Sequence, residues 1–175
     1  WWGNIRFEQS FTPDLCRLLA KSGLIAVTGG LEVASDRLLA KMNKGVTIEQ
    51  AARCAHSFQQ AGVMVHAYLM YGFPSQTVQE SINAMEIVRQ LFAEGLVDSA
   101  FWHRFTLTKH SGIYQKPAEF QITIAPTPEQ TFTSNDIDHI DPSGCDHDQF
   151  DLPLTIALQQ WMKGDFDDLV TSYFP

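Results

Sequence analysis

The chain has no run of about 18 or more apolar residues, so nothing in it reads as a membrane span. Cysteine is scarce. The 175 residues hold three, an odd number without CxxC spacing, which argues against a disulfide framework or a zinc ribbon and favours a reducing cytoplasm. Trp1-Trp2-Gly3 offers neither an initiator Met nor a signal-peptide pattern, which suggests a piece of something longer. Basic residues are nearly missing from the last fifty positions. Pro126 to Pro175 holds nine Asp and one Glu against Lys163, so a net of −9 falls there and the rest carries about +1 of the total −8. An acidic tail on a near-neutral body gives no electrostatic footprint for duplex nucleic acid. Neither GxGxxG nor GxxxxGKS/T occurs, which removes the dinucleotide and nucleoside-triphosphate fingerprints.

What is present is a hydrophobic fraction of 45%, enough for one good core, and a recurring punctuation. Ser22-Gly23-Leu24, Ala61-Gly62-Val63 and Glu94-Gly95-Leu96 each join a helical pattern to an apolar strand start. Strands are expected at Ile5 to Glu8, from Leu24 to Thr28, from Val63, and from Ser99 to Thr108. The Leu24 strand is continuous in apolar character, as for a strand covered on both faces. Thr12-Pro13-Asp14 opens a helix whose stripe is Leu15, Leu18 and Leu19. Ser35 or Asp36 can cap a short helix, and Thr47 to Gln50 and Thr77 to Glu80 are capping boxes. The fold class is therefore α/β, with parallel βα units side by side. Ligands of such sheets collect at the carboxyl ends, here Gly29 to Ser35 and Tyr71 to Gln76. Beyond Tyr114 the periodicity fails. Gln121 to Ile124 is a possible short strand, Pro126 to Pro142 a loop, and Pro153 to Lys163 a helix with Ile156, Leu158 and Trp161 inward. Trp161, Phe166, Tyr173 and Phe174 are read as docking the tail on the body.

GGLEVASDRLLAKMNKG followed by AGVMVHAYLMYGFPSQT resembles the second half of a radical S-adenosylmethionine (radical SAM) enzyme core, the type with a partial (βα)6 TIM-like barrel. The resemblance covers roughly Asn4 to Tyr114. It divides the chain into a barrel half at 1–115 and an acidic, mostly irregular or helical C-terminal extension at 116–175, similar to that of cobalamin-binding-type members. The family's CxxxCxxC cluster loop is absent: Cys16, Cys54 and Cys145 lie tens of residues apart. The resemblance thus implies S-adenosylmethionine (SAM) and a [4Fe-4S] cluster in a full-length protein, with cluster ligands outside this chain and cobalamin as a further option. No residue here is assigned as a metal ligand.

The same resemblance nominates Glu8, Glu32, Ser35, Lys44, Tyr68, Gly72 and Pro74 for SAM. Glu8 and Glu32 match strand-end positions facing the ribose or amino-acid end, Lys44 a base toward the carboxylate, and Gly72 and Pro74 the turn along the adenine. Tyr68 stands where relatives carry Asp, and Ser75-Gln76 replaces the more frequent Gly-Glu. Arg104 and Thr106, on one face of the fourth strand, and His110, in a loop resembling the sixth-strand loop, are substrate candidates. Arg104 is the strongest of these if it points into the lumen, where a buried charge awaits an anion.

Plainer roles stay open. Glu32 can cap a helix, Lys44 suits a helix C-terminus beside Gly45, Glu8 can be a solvated carboxylate, and Gly29-Gly30 can serve a tight turn. His66 reads as a hydrogen-bonded core histidine, and the run from Asn135 to Asp148 as a solvated acidic loop that fits neither a calcium nor a zinc pattern. As an enzyme part, the chain would need its missing N-terminal half to cleave SAM and act on a small-molecule or macromolecular substrate. The other reading is a non-catalytic α/β binding or scaffold module. Either way the half barrel exposes two strand edges, which calls for self-association or for cover by the tail.

Overall fold

The computed structural model describes residues 1–126, 135–168 and 170–173. In chain order the elements are β1 (Trp2–Ile5), α1 (Pro13–Lys21), β2 (Ala26–Glu32), α2 (Asp36–Lys41), α3 (Ile48–Gln60), β3 (Met64–Tyr71), α4 (Val78–Ala93) and β4 (Ser99–Arg104). There follow α5 (Gly112–Gln115), a 3-10 turn (Pro117–Phe120), β5 (Thr123–Ile124), β6 (His139–Ile140), α6 (Asp148–Trp161) and a second 3-10 turn (Val170–Tyr173). Strands β1 to β4 form one sheet in the order β1-β2-β3-β4, and every pairing in it is parallel. This is the four-strand run of βα units that a partial barrel requires. The punctuating glycines Gly23, Gly62 and Gly95 all take positive φ (92°, 75° and 65°), which only glycine adopts without strain, so each helix stops there and the next strand starts.

The helices cover one face of the sheet. Val27, Leu31, Val65, Ala67, Leu69, Ala100 and Trp102 pack there against Cys16, Ala55, Phe58, Met85, Val88 and the α6 residues Phe150, Leu154 and Trp161. The other face is open: Trp2, Met64, Tyr68 and Phe101 are exposed, and Thr28, His66 and Ser99 only half covered. The expectation of a β2 buried on both sides is thus corrected, since β2 and β3 alternate strictly between covered and open positions. Apolar side chains of β2 and β3 on the open face made the runs look continuous.

Several boundaries move. β1 ends at Ile5, three residues before Glu8, because the chain leaves the ladder to lay the Phe7 ring against Gly29. β2 extends to Glu32, so Gly29 and Gly30 are strand residues rather than turn residues. Leu18 is exposed, and the α1 residue in the core is Cys16. Ile156 is exposed as well, whereas Leu158 and Trp161 are buried as expected. The short strand near residue 123 exists and pairs antiparallel with β6. Phe166 and Tyr173 pack on the core, while Phe174 lies outside the described residues; of the stretch Pro126 to Pro142 expected as loop, residues 127–134 lie outside them too, and the described part holds the strand β6.

The segment after β4 divides its contacts. α6 docks on the helix side beside α4, with Trp161 against Phe92. Residues 105–122 fold over the carboxyl rim of the sheet. There Phe73 meets Phe105 and Phe120 edge to face, around a small core of Val33, Leu38 and Phe73.

Candidate functional site at the carboxyl rim

Glu32 and Tyr71 end adjacent parallel strands, so the loops behind them open at the same end of the sheet. A β-bulge between Gly30 and Glu32 and a positive φ at Glu32 (57°) turn its side chain back across Gly30. A Cβ at position 30 would fall 2.5 Å from Glu32 Oε1, so the second glycine of the pair makes room for this carboxylate. Lys44 Nζ donates to Glu32 Oε1 at 2.7 Å, and Arg6 donates to the Lys44 carbonyl oxygen. These residues, with Ile5 and Asn43, line a hollow of about 420 Å³. An acid and a base side by side, with Glu32 only 15% exposed, suit a ligand that itself carries both charges.

The Tyr71–Gln76 turn is braced from several sides. Gln76 is buried, and its Oε1 accepts from the backbone N–H of Gly72 (2.8 Å) and of Phe73 (3.2 Å). Gly72 (φ 78°) and Ser75 (φ 70°) both lie in the left-handed region. Ser75 Oγ accepts from Lys41 Nζ at 2.7 Å, and its carbonyl from Arg37 Nη2 at 2.8 Å. Arg37 forks onto Glu80 with two 2.7 Å bonds. Those bonds from Arg37 hold the Glu80 carboxyl down at about 2, against the opposing effect of burial. Burial lowers the Lys41 ammonium, and the neighbouring Arg37 charge lowers it further.

The nominated residues separate. Glu32, Lys44, Gly72 and Pro74 share the rim. Ser35 is there too, as the N-cap of α2 and a donor to Glu80 Oε1 (3.2 Å). Tyr68 projects from the open face, where its ring meets His66 edge to face. His66 accepts or donates at Nδ1 to Ser99 Oγ (2.7 Å), and burial lowers its basicity. Glu8 is elsewhere. It sits in the β1–α1 loop, 3.7 Å from Arg6, and lines a separate hollow of about 500 Å³ with Gln9, Glu49 and Gln50.

The lumen reading of Arg104 is corrected. Strand alternation puts it on the same side as Trp102, toward α6, where it pairs with Asp148 and its charge is met by that carboxylate. Thr106 and His110 are exposed beyond β4. Gln76 falls in the strand-end stretch expected to meet ligand, whereas nothing local in the sequence marks Lys41 and Asp141 as rim residues. These two reach the turn from 34 and 66 residues away.

The cysteines do not fit an iron–sulfur cluster, which needs thiolates converging from one loop. Burial raises the Cys16 thiol and, with Cys16 nearby, lifts Cys54 to about 12, while burial and Asp146 raise Cys145. Among the described residues no group of three or more His, Cys, Asp or Glu could hold a metal ion. No described helix is long and apolar enough to cross a membrane.

Comparison with known proteins bears on this geometry. The chain is similar to the anaerobic magnesium-protoporphyrin IX monomethyl ester cyclase of Rubrivivax gelatinosus, 28% identical over 117 residues, which is 66% of this chain and 20% of that protein. It is also similar to an uncharacterized protein of Methanopyrus kandleri, 36% identical over 56 residues, 32% of this chain and 11% of that one. The chain thus spans a fifth or less of the length of these curated relatives. Residues 5–88, from the end of β1 into α4, match the model of the Radical SAM superfamily. Over that segment, with its parallel βα units and its rim, the chain is similar to the radical SAM superfamily.

Proposed function

We propose that residues 1–115 are the second half of a radical SAM barrel whose carboxyl rim holds SAM, and that residues 116–175 are an extension folded onto it. The observation that carries this reading is the Glu32–Lys44 pair beside the Tyr71–Gln76 turn, within the segment matched to the superfamily. The amino-acid end of SAM carries an ammonium and a carboxylate. Glu32 accepts from the first and Lys44 donates to the second, each exchanging its present partner for the ligand's opposite charge. The adenine is assigned to the tightly held turn of Gly72 and Pro74, of which Pro74 is buried and Gly72 lies against Arg104 and His147, and Tyr68 stands on the open face. With a reduced [4Fe-4S] cluster supplied from outside this chain, bound SAM would be cleaved to methionine and a 5′-deoxyadenosyl radical. Cobalamin as a second cofactor and a reducing cytoplasmic setting belong to the same reading.

Tyr68 and Phe101 are register neighbours and exposed side by side on the open face. They favour a flat, largely apolar substrate, the class of the porphyrin ester in the name of the Rubrivivax relative. A scaffold role without redox chemistry is the competing reading. The full-length protein, reconstituted with iron and sulfide and reduced without oxygen, is expected to turn SAM into 5′-deoxyadenosine and methionine. No product from a preparation with full cluster content would favour the scaffold.

A further inference from the structure

Ser75 is the one non-glycine residue of the Tyr71–Gln76 turn held at positive φ. Such a conformation is strained for a residue with a Cβ and persists only where the surroundings over-determine it. Two of its restraints come from α2, through Lys41 and Arg37. A third comes from outside the barrel half: Asp141, just after β6, accepts the Ser75 backbone N–H on Oδ2 at 2.7 Å. Its other oxygen, Oδ1, accepts from the Ser143 N–H (3.1 Å), the Ser143 hydroxyl (2.9 Å) and the Gly144 N–H (3.0 Å). The carboxylate is therefore committed on both oxygens, and it ties the 141–144 loop to the turn. Partial burial opposes its charge, but the bonds from Ser75, Ser143 and Gly144 outweigh that and keep the carboxyl below its ordinary range.

We infer that Asp141 is a positioning residue for SAM: the extension sets the shape of the turn that meets the adenine, so SAM affinity depends on a residue outside the matched segment. This rests on the reading of the rim given above. Without Asp141 the Ser75 N–H loses its acceptor, and the turn can relax from its left-handed geometry. Gln76, buried beneath the turn, still holds Gly72 and Phe73, so the turn loosens at Ser75 rather than collapsing.

The test uses the full-length, cluster-loaded protein and its dissociation constant for SAM. Asp141→Ala is expected to weaken SAM by about tenfold, the scale of one hydrogen bond to a charged group, with iron content unchanged. Leu158→Ala, which loosens α6 on the helix side, controls for general destabilisation and is expected to leave SAM affinity as it is. Amide exchange should show Ser75 and Gln76 faster in Asp141→Ala and unchanged in Leu158→Ala. Wild type that binds SAM, with Asp141→Ala binding equally well or no worse than Leu158→Ala, overturns the inference alone. Wild type with no affinity for SAM overturns the rim reading together with it.

Discussion

Gly29 and Gly30, adjacent in a glycine pair, do different things. A Cβ at Gly29 would fall 2.5 to 2.9 Å from three carbons of the Phe7 ring, which is itself buried, so this glycine exists for packing on the helix face. Gly29→Ala should destabilise the fold by ~1–3 kcal/mol in urea titration, the usual cost of overpacking, and Phe7→Leu in the same chain should recover part of it. Gly30, on the open face, leaves space for a carboxylate instead. Glu80 gives the residue-scale pH dependence. Its carboxyl lies at about 2 in the fold, well below the usual carboxylate range, chiefly through Arg37. A depressed carboxyl stabilises the fold above its unfolded pKa, and that contribution is lost as pH falls from about 4.5 toward 2. The stability gap between wild type and Glu80→Gln should therefore be ~2 kcal/mol near neutral pH and shrink steadily below pH 4.5, as followed by thermal melts.

At the scale of elements, the strand–helix alternation was readable because the chain states it locally. The glycines at 23, 62 and 95 do take left-handed conformations, and Thr12, Ser35, Thr47 and Thr77 do accept from the N–H three residues on. The Thr77–Glu80 capping box is complete. At Thr47 only half forms, since Gln50 turns its amide to the Phe7 carbonyl (2.8 Å). Thr77→Ala should cost about 1 kcal/mol of stability and speed amide exchange in the first turn of α4. What the sequence hid is non-local. Nothing near Lys41 announces that it reaches Ser75, and nothing in the acidic run around Asp141 distinguishes that carboxylate from its solvated neighbours. Arg104 misled for a related reason. Alternation correctly grouped it with Trp102, but which face looked toward the helices depended on α6, whose register could not be read from periodicity interrupted by Pro153.

Across the whole molecule, one face of the sheet is sealed by helices and the other is open, and the rim joins them. α6 completes the sealed side: Trp161 is almost wholly buried between Phe92 and Tyr173. Trp161→Ala should lower stability by ~3–5 kcal/mol while leaving the rim hydrogen bonds in place. The two hollows divide the candidate ligand sites. The rim hollow is floored by Gly30 and flanked by the Glu32–Lys44 pair, whereas the hollow holding Glu8 lies between the β1–α1 loop and α3. The dissociation constant of SAM for the full-length protein, compared between variants of these two places, separates them. The account predicts that Glu32→Gln and Lys44→Gln each weaken SAM by about tenfold or more, the loss of a charged hydrogen bond, and that Glu49→Gln in the other hollow changes nothing. SAM binding that ignores Glu32 and Lys44, or that is lost with Glu49, would contradict it.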